Sequence, residues 1–333
     1  MTALLDVRDV SIRYPGVGSL LGRARQRQAV TEVSLRIEAG RTFGLVGESG
    51  SGKSTIGRAI LRLVDPAAGQ ILFDGADLAG FGRQTPLEYR RAVQVVFQNP
   101  ATALNPSWTV EEILREPLRM HRKVSGRDEL GRLVADLLDQ VGMASYLRDR
   151  YPWELSGGQS QRIAIARALA ARPRLIVCDE PVSALDVSTQ SQVINLLEDL
   201  QAELGVAYLF IAHDLAVVRH ISHDVGVLYA GRLMETGPAE QVYSAPAHPY
   251  TRTLLAAIPV PDPVAQRERR ALRRELRVRR DPARSATAGL GEIVGCPFQH
   301  RCPLVMDVCR TEMPPLRPRA GGGEVACHAM EEE

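Results

Sequence analysis

Apolar and polar positions follow two different periods along the chain, and the switches between them mark out its elements. Val33, Leu35 and Ile37 alternate with Ser34, Arg36 and Glu38, the period-two pattern of a strand with one wet face, which predicts an edge or antiparallel layer. After Ala39 and Gly40 comes a short apolar run at 42–46, then a Gly-rich turn, then Ile56, Ile60 and Leu63 at helical spacing. This reads as strand, loop, helix. Apolar runs recur at 93–97, 175–178 and 206–212, separated by helical stretches such as 190–204. Buried strands alternating with helices predict an α/β fold with a mostly parallel sheet covered on both faces. Between Phe97 and Leu175 nothing reads as strand, while 110–119 and 128–141 show helical apolar spacing, which predicts a helical subdomain inserted at about 99–165.

Length and composition add bounds. The chain has 333 residues, enough for two domains or for one large domain with an appendage. With 45% hydrophobic and 24% charged residues it is an ordinary globular composition, which excludes disorder and collagen. No apolar run approaches the roughly 20 residues of a membrane helix, and Asp6, Arg8 and Asp9 sit where a secretory leader would be apolar. A cytoplasmic location is expected. A net charge of +2 gives no reason to expect nucleic acid. It conceals one block, 266–284, where nine Arg face Glu268, Glu275 and Asp281. Beyond Ile258 come Pro259, Pro261 and Pro263, the Arg block and then Cys residues flanked by Gly and Pro, so a boundary is expected near 260, with domains at 1–260 and 261–333. Four of the five Cys (Cys296, Cys302, Cys309, Cys327) crowd near the end of the chain, which in a reducing compartment points to metal. Cys178, inside an apolar strand, reads as a small core residue.

The chemistry is concentrated in three motifs. Gly47, Glu48, Ser49, Gly50, Ser51, Gly52, Lys53, Ser54 and Thr55 satisfy G-x-x-x-x-G-K-[ST] between a strand and a helix. Glycines let backbone N–H groups turn toward phosphate oxygens, the helix start adds positive potential, and Lys53 reaches the terminal phosphates. Ser54 offers a hydroxyl to Mg2+. Of 41 basic residues only Lys53 and Lys123 are Lys, so a Lys kept here invites a reason. Asp179 and Glu180 follow the apolar run 175–178, at the carboxyl end of a parallel strand where open α/β sheets bind ligands. Beside a nucleotide loop, Asp179 suits Mg2+ and Glu180 suits orienting and deprotonating an attacking water. Leu155, Ser156, Gly157, Gly158 and Gln159 stand before an amphipathic helix at 161–170, so their small residues expose a helix N-terminus; a simply capped helix start has the same pattern.

Phosphate loop, LSGGQ and acidic strand end, in that order, resemble the ATPase domain of ABC (ATP-binding cassette) proteins. The resemblance implies a P-loop NTPase fold: a RecA-like, mostly parallel sheet with helices on both faces, an N-terminal antiparallel β layer, the inserted helical subdomain and a small Cys-rich extension. It also assigns roles. Gln98 falls at the Q-loop glutamine, contacting Mg2+ or water; Asp186 lies in the D-loop, Ser183-Ala184-Leu185-Asp186; His213 matches the switch histidine at the γ-phosphate; Tyr14 matches the aromatic that stacks on adenine. Ser160 stands where relatives carry a longer polar residue. The stretches Phe97-Gln98-Asn99-Pro100, Leu104-Asn105-Pro106 and His248-Pro249-Tyr250-Thr251 look like the oligopeptide/dipeptide importer branch. Asn99 and the long segment between Tyr14 and Val30 look like its F-type subunit.

What the resemblance implies is an ATP-hydrolysing importer motor at the cytoplasmic face of the membrane. It would pair with a D-type ATPase, drive two permeases, and depend indirectly on an extracytoplasmic binding protein. A nickel or other small-solute importer, a soluble ABC ATPase and a binding protein with a dead nucleotide site are the competing readings. The spacing C-x5-C-x6-C-x17-C is poor for zinc, and four thiolates are the usual set for an iron-sulfur cluster; with the resemblance, a [4Fe-4S] cluster is expected at Cys296, Cys302, Cys309 and Cys327, with zinc the alternative. An extension stapled in this way is expected to leave the distant phosphate loop chemically untouched.

Overall fold

The alternation at 33–37 belongs to a strand that buries Val33, Leu35 and Ile37, as the period-two pattern predicts. The computed structural model describes residues 3–15, 27–258 and 294–330; the expected boundary near 260 and the Arg block at 266–284 lie outside the described residues. In chain order the strands are β1 (Leu5–Tyr14), β2 (Arg27–Ile37), β3 (Thr42–Val46), β4 (Ala68–Phe73), β5 (Ala76–Asp77), β6 (Val93–Val96), β7 (Leu175–Asp179), β8 (Ala207–Ala212), β9 (Asp224–Tyr229), β10 (Arg232–Pro238), β11 (Arg317–Pro318) and β12 (Glu324–Val325). The helices are α1 (Lys53–Ile60), α2 (Leu87–Ala92), α3 (Pro100–Ala103), α4 (Val110–Arg122), α5 (Arg127–Gln140), α6 (Gly157–Leu169), α7 (Val187–Leu204), α8 (Leu215–Ile221), α9 (Ala239–Ser244) and α10 (Pro249–Ala257), with one further turn at Val308–Thr311.

Two sheets result. The antiparallel layer runs β2-β1-β4-β5, and the main sheet runs β11-β12-β10-β9-β3-β8-β7-β6, parallel from β9 through β6. The main sheet separates two apolar cores, and the alternation of its side chains decides which core each residue joins. In β8, Tyr208, Phe210 and Ala212 face the core shared with α4 to α7, whereas Ala207, Leu209 and Ile211 face the core shared with the antiparallel layer. This is why a central strand reads as an unbroken apolar run while β2 alternates. No strand interrupts the chain between β6 and β7, where α3 to α6 lie.

Two features go beyond the expectation. The hairpin β9-β10 turns through Ala230 and Gly231, both at positive φ, with Tyr229 opposite Arg232. This two-residue turn is usually signalled by Asn-Gly or Asp-Gly, so its sequence signal here is weak. The extension also contributes strands to the main sheet. Glu324 and Val325 of β12 pair with Thr236 and Glu235 of β10, continuing the main sheet. Cys296, Phe298 and Cys309 join the same apolar core as α4 to α7.

Candidate nucleotide site

The loop between β3 and α1 is built by close approach. A Cβ at Gly47 would meet the Leu228 carbonyl oxygen at 2.1 Å, and Gly52, the N-cap of α1, has φ +106° with the Ala29 carbonyl oxygen 2.6 Å from where its Cβ would stand. Lys53 is buried, and its Nζ donates to the carbonyls of Gly47 at 2.8 Å and Glu48 at 3.0 Å. Burial pulls the Lys53 ammonium below its usual range, opposed by the charges of Glu180, Asp179 and Glu48. Ser49 and Gly50 form the exposed tip, and Thr55 is half-buried in the first turn of α1. The Ser51 hydroxyl is buried with no hydrogen-bond partner among the described residues, an unmet polar group in the loop that a ligand oxygen could satisfy.

The carboxylates arrive from the other side. Ser54 Oγ donates to Asp179 Oδ1 at 2.7 Å. Burial raises the Asp179 carboxyl above its usual range, partly offset by the Ser54 hydrogen bond. Glu180, one residue beyond β7, sits at φ +51°, in the left-handed region that a non-Gly residue rarely adopts and that is enriched at functional sites. Its N–H donates to the Ile211 carbonyl at 2.9 Å, which fixes the turn. Its Oε2 accepts from Gln98 Nε2 at 3.0 Å and lies 3.4 Å from His213 Nδ1. The same Gln98 amide donates to Ser183 Oγ at 3.1 Å. Gln98 and His213, from two separate connections, thus converge on the one carboxylate, while Ser183 Oγ accepts from Gln98 and donates to the Glu180 backbone carbonyl at 3.1 Å.

Other expected residues have different local employment. Ser156 caps α6 in a reciprocal capping box: Gln159 N–H donates to Ser156 Oγ at 3.2 Å, and Ser156 N–H donates to Gln159 Oε1 at 2.9 Å. Gly157 lies against Leu185 and Gly158 against Thr189, so the turn packs on the start of α7. Asp186 caps α7, accepting from Thr189 N–H at 3.0 Å and Thr189 Oγ1 at 2.7 Å and from Ser188 Oγ; these bonds hold its carboxyl well below the usual range. Tyr14 ends β1 opposite Arg27, and its hydroxyl is buried without a partner among the described residues.

The four clustered cysteines carry no disulfide. Cys296 N–H donates to the Cys309 carbonyl at 2.8 Å. Burial pushes the Cys296 thiol up to about 12, with Cys302, Cys309 and Cys327 close enough to add to it, and pushes Cys302 up to about 11. Among the described residues no group of three or more His, Cys, Asp or Glu is arranged to hold a metal ion.

Two contacts were not foreseen. Tyr250 Oη accepts from Glu48 N–H at 3.0 Å, and Arg301 of the extension pairs with the Glu48 carboxylate. Tyr250 stood in a recognised motif without an assigned role. Arg301 had no signal at all in a chain this rich in Arg.

Comparison with known proteins settles the family. The ABC transporter family matches residues 30–183, and the oligopeptide/dipeptide transporter C-terminal region matches 234–309. A Sinorhizobium fredii protein named "Probable peptide ABC transporter ATP-binding protein y4tS" is 46% identical over 98% of this chain and 90% of its own length. The chain belongs to the ATP-binding subunits of oligopeptide/dipeptide ABC importers. The oligopeptide transport ATP-binding protein AppF of Bacillus subtilis is 44% identical, with 98% of this chain and 97% of its own covered. The ATP-binding cassette MJ0796, solved as a dimer with ADP and Pi in a post-hydrolysis state, shares the fold at a TM-score of 0.62 and 28% identity, covering 71% of this chain and 98% of that one. This ABC subunit is an ATPase, and no described helix is long and apolar enough to cross a membrane.

Proposed function

We propose that this ABC subunit hydrolyses ATP at the site between 47–55 and Glu180 and so powers peptide uptake through two permeases, docked as a peripheral protein at the cytoplasmic face of the membrane. The observation that carries this reading is the convergence of Gln98 and His213 on Glu180 Oε2, beside the Ser54–Asp179 pair. Backbone N–H groups of 47–52 and Lys53 Nζ bind the phosphates, and Tyr14 meets the adenine. Ser54, Asp179 and Gln98 would hold Mg2+. When bound, Mg2+ neutralises charge on the phosphate oxygens. Glu180 takes the proton of the attacking water, Gln98 orients that carboxylate, and His213 carries its hydrogen bond toward the γ-phosphate.

A second ATPase of the D-type supplies the facing surface. Ser156, Gly157, Gly158 and Gln159 of each subunit present a helix N-terminus to the nucleotide held by the other, and Asp186 lies at the junction. An extracytoplasmic binding protein delivers the peptide. The four disulfide-free cysteines, Cys296 and Cys309 buried and Cys302 and Cys327 half-buried, are four thiols of the kind a [4Fe-4S] cluster takes, with zinc the alternative, though they are not arranged here as a metal site; a cluster would tie four points of the extension together.

The test is ATP turnover and peptide uptake in vesicles holding the reconstituted complex. Loss of both with Glu180→Gln, with ATP still bound, supports the reading; uptake at the wild-type rate overturns it.

A further inference from the structure

Glu48 places a carboxylate in a loop whose task is to hold an anion. Its two oxygens are both engaged: Arg301 Nη1 donates to Oε2 at 2.9 Å and Arg301 Nη2 lies 2.8 Å from Oε1. Such a fork fixes the direction of the carboxylate as well as offsetting its charge. Arg301 is positioned by the extension. Its guanidinium lies over the rings of Phe298 and Tyr229, 5.6 and 5.8 Å from their centroids, and Cys302 follows it directly in sequence. Phe298 is fully buried against Tyr229, Tyr250 and His248. Tyr250 in turn accepts the Glu48 N–H. Backbone and side chain of one loop residue are therefore both held by residues from the C-terminal part of the chain, and the Glu48 charge is within electrostatic reach of Lys53.

We propose that Arg301 is a positioning residue for the nucleotide: by clamping and neutralising Glu48 it keeps negative charge away from the incoming phosphates, so that MgATP affinity depends on the folded Cys extension. The inference rests on 47–55 being the phosphate loop. Without Arg301, Glu48 repels the triphosphate; without the Glu48 charge, Arg301 has nothing to neutralise. The pair is partly exposed, with 22% of the Arg301 and 42% of the Glu48 side-chain surface accessible, so water screens part of the effect.

The experiment is calorimetric titration of the full chain with MgATP, without turnover, for a double-mutant cycle. Arg301→Met keeps an unbranched stem for the aromatic rings and should weaken MgATP about fivefold, the order expected of a partly exposed pair. Glu48→Gln removes the charge while keeping the loop backbone and should bind MgATP more tightly than Arg301→Met, the double variant should match Glu48→Gln, and Arg301→Lys should recover part of the loss. Wild-type affinity in Arg301→Met, or a double variant as weak as Arg301→Met, overturns the proposal. If Arg301→Met does not fold, Glu48→Gln alone decides, since weaker MgATP binding there contradicts the electrostatic role. Lys53→Ala separates the two layers of argument: wild-type binding in that variant removes the phosphate-loop reading itself, whereas lost binding there with an unaffected Arg301→Met removes only this inference.

Discussion

Ser54 Oγ donates to Asp179 Oδ1 at 2.7 Å, joining the first turn of α1 to the end of β7 across 125 positions of sequence. The Asp179 carboxyl is raised by burial, so between the usual and the raised value the folded chain binds more protons than the unfolded one, and stability falls as pH rises through that window. Asp179→Asn removes this cost and still offers Ser54 an acceptor. Thermal unfolding in the absence of Mg2+ should therefore show Asp179→Asn at least as stable as wild type at pH 7, with the gain shrinking as the pH is lowered. A gain over wild type that is smaller at pH 7 than in acid would contradict the assignment.

Glu180 receives Gln98 and lies beside His213, whereas the buried Lys53 ammonium stands in the phosphate loop itself. Glu180→Gln should keep MgATP binding and lose about 10²- to 10⁴-fold in turnover, the usual cost of a missing general base. Lys53→Ala should instead lose binding. Titration paired with phosphate release in the reconstituted complex checks both.

Ser156 is already an N-cap in the single chain, so its hydroxyl and its backbone position can be tested separately. Ser156→Ala should cost about 1 kcal/mol of stability, as lost caps typically do, and leave dimer closure intact. Ser156→Arg sets a cation against the positive end of α6 and should sharply reduce the ATP-trapped dimer in a Glu180→Gln background. Equal yields for Arg and wild type, measured by size exclusion, would leave 155–159 as a capped helix start and nothing more.

The four cysteines should carry iron and sulfide after anaerobic purification. Cys302→Ser should lose the visible absorption and, because Arg301 is its neighbour, also weaken MgATP. Colourless protein with stoichiometric zinc would exchange the cluster for a zinc site.

Of the parallel strands, β3, β6, β7 and β8 were legible as short apolar runs flanked by turns while β9 was not, and the phosphate loop was legible because strand, glycines and the scarce Lys53 coincide. Gln98 and His213 were legible only through the resemblance, since a polar residue after a strand is ordinary; the geometry at Glu180 is what gives them a shared target. The hairpin β9-β10 hid behind an Ala-Gly turn. The contact between the extension and the phosphate loop was not legible, because an ion pair between residues 253 positions apart, Arg301 and Glu48, leaves no periodic trace.

Pairing of β12 with β10 has a consequence for synthesis. The order of the main sheet places β10 between β9 and a strand made some 90 residues later, at Glu324 and Val325. Until those residues leave the ribosome, the outer side of β10 presents open N–H and C=O groups, a template for any passing strand. Glu235, wholly buried there, also waits for Arg319. A chain that stops before Glu324 and Val325 is thus a cassette with a sticky border, and shielding that border is a task these two residues perform for the nucleotide-binding body as a whole.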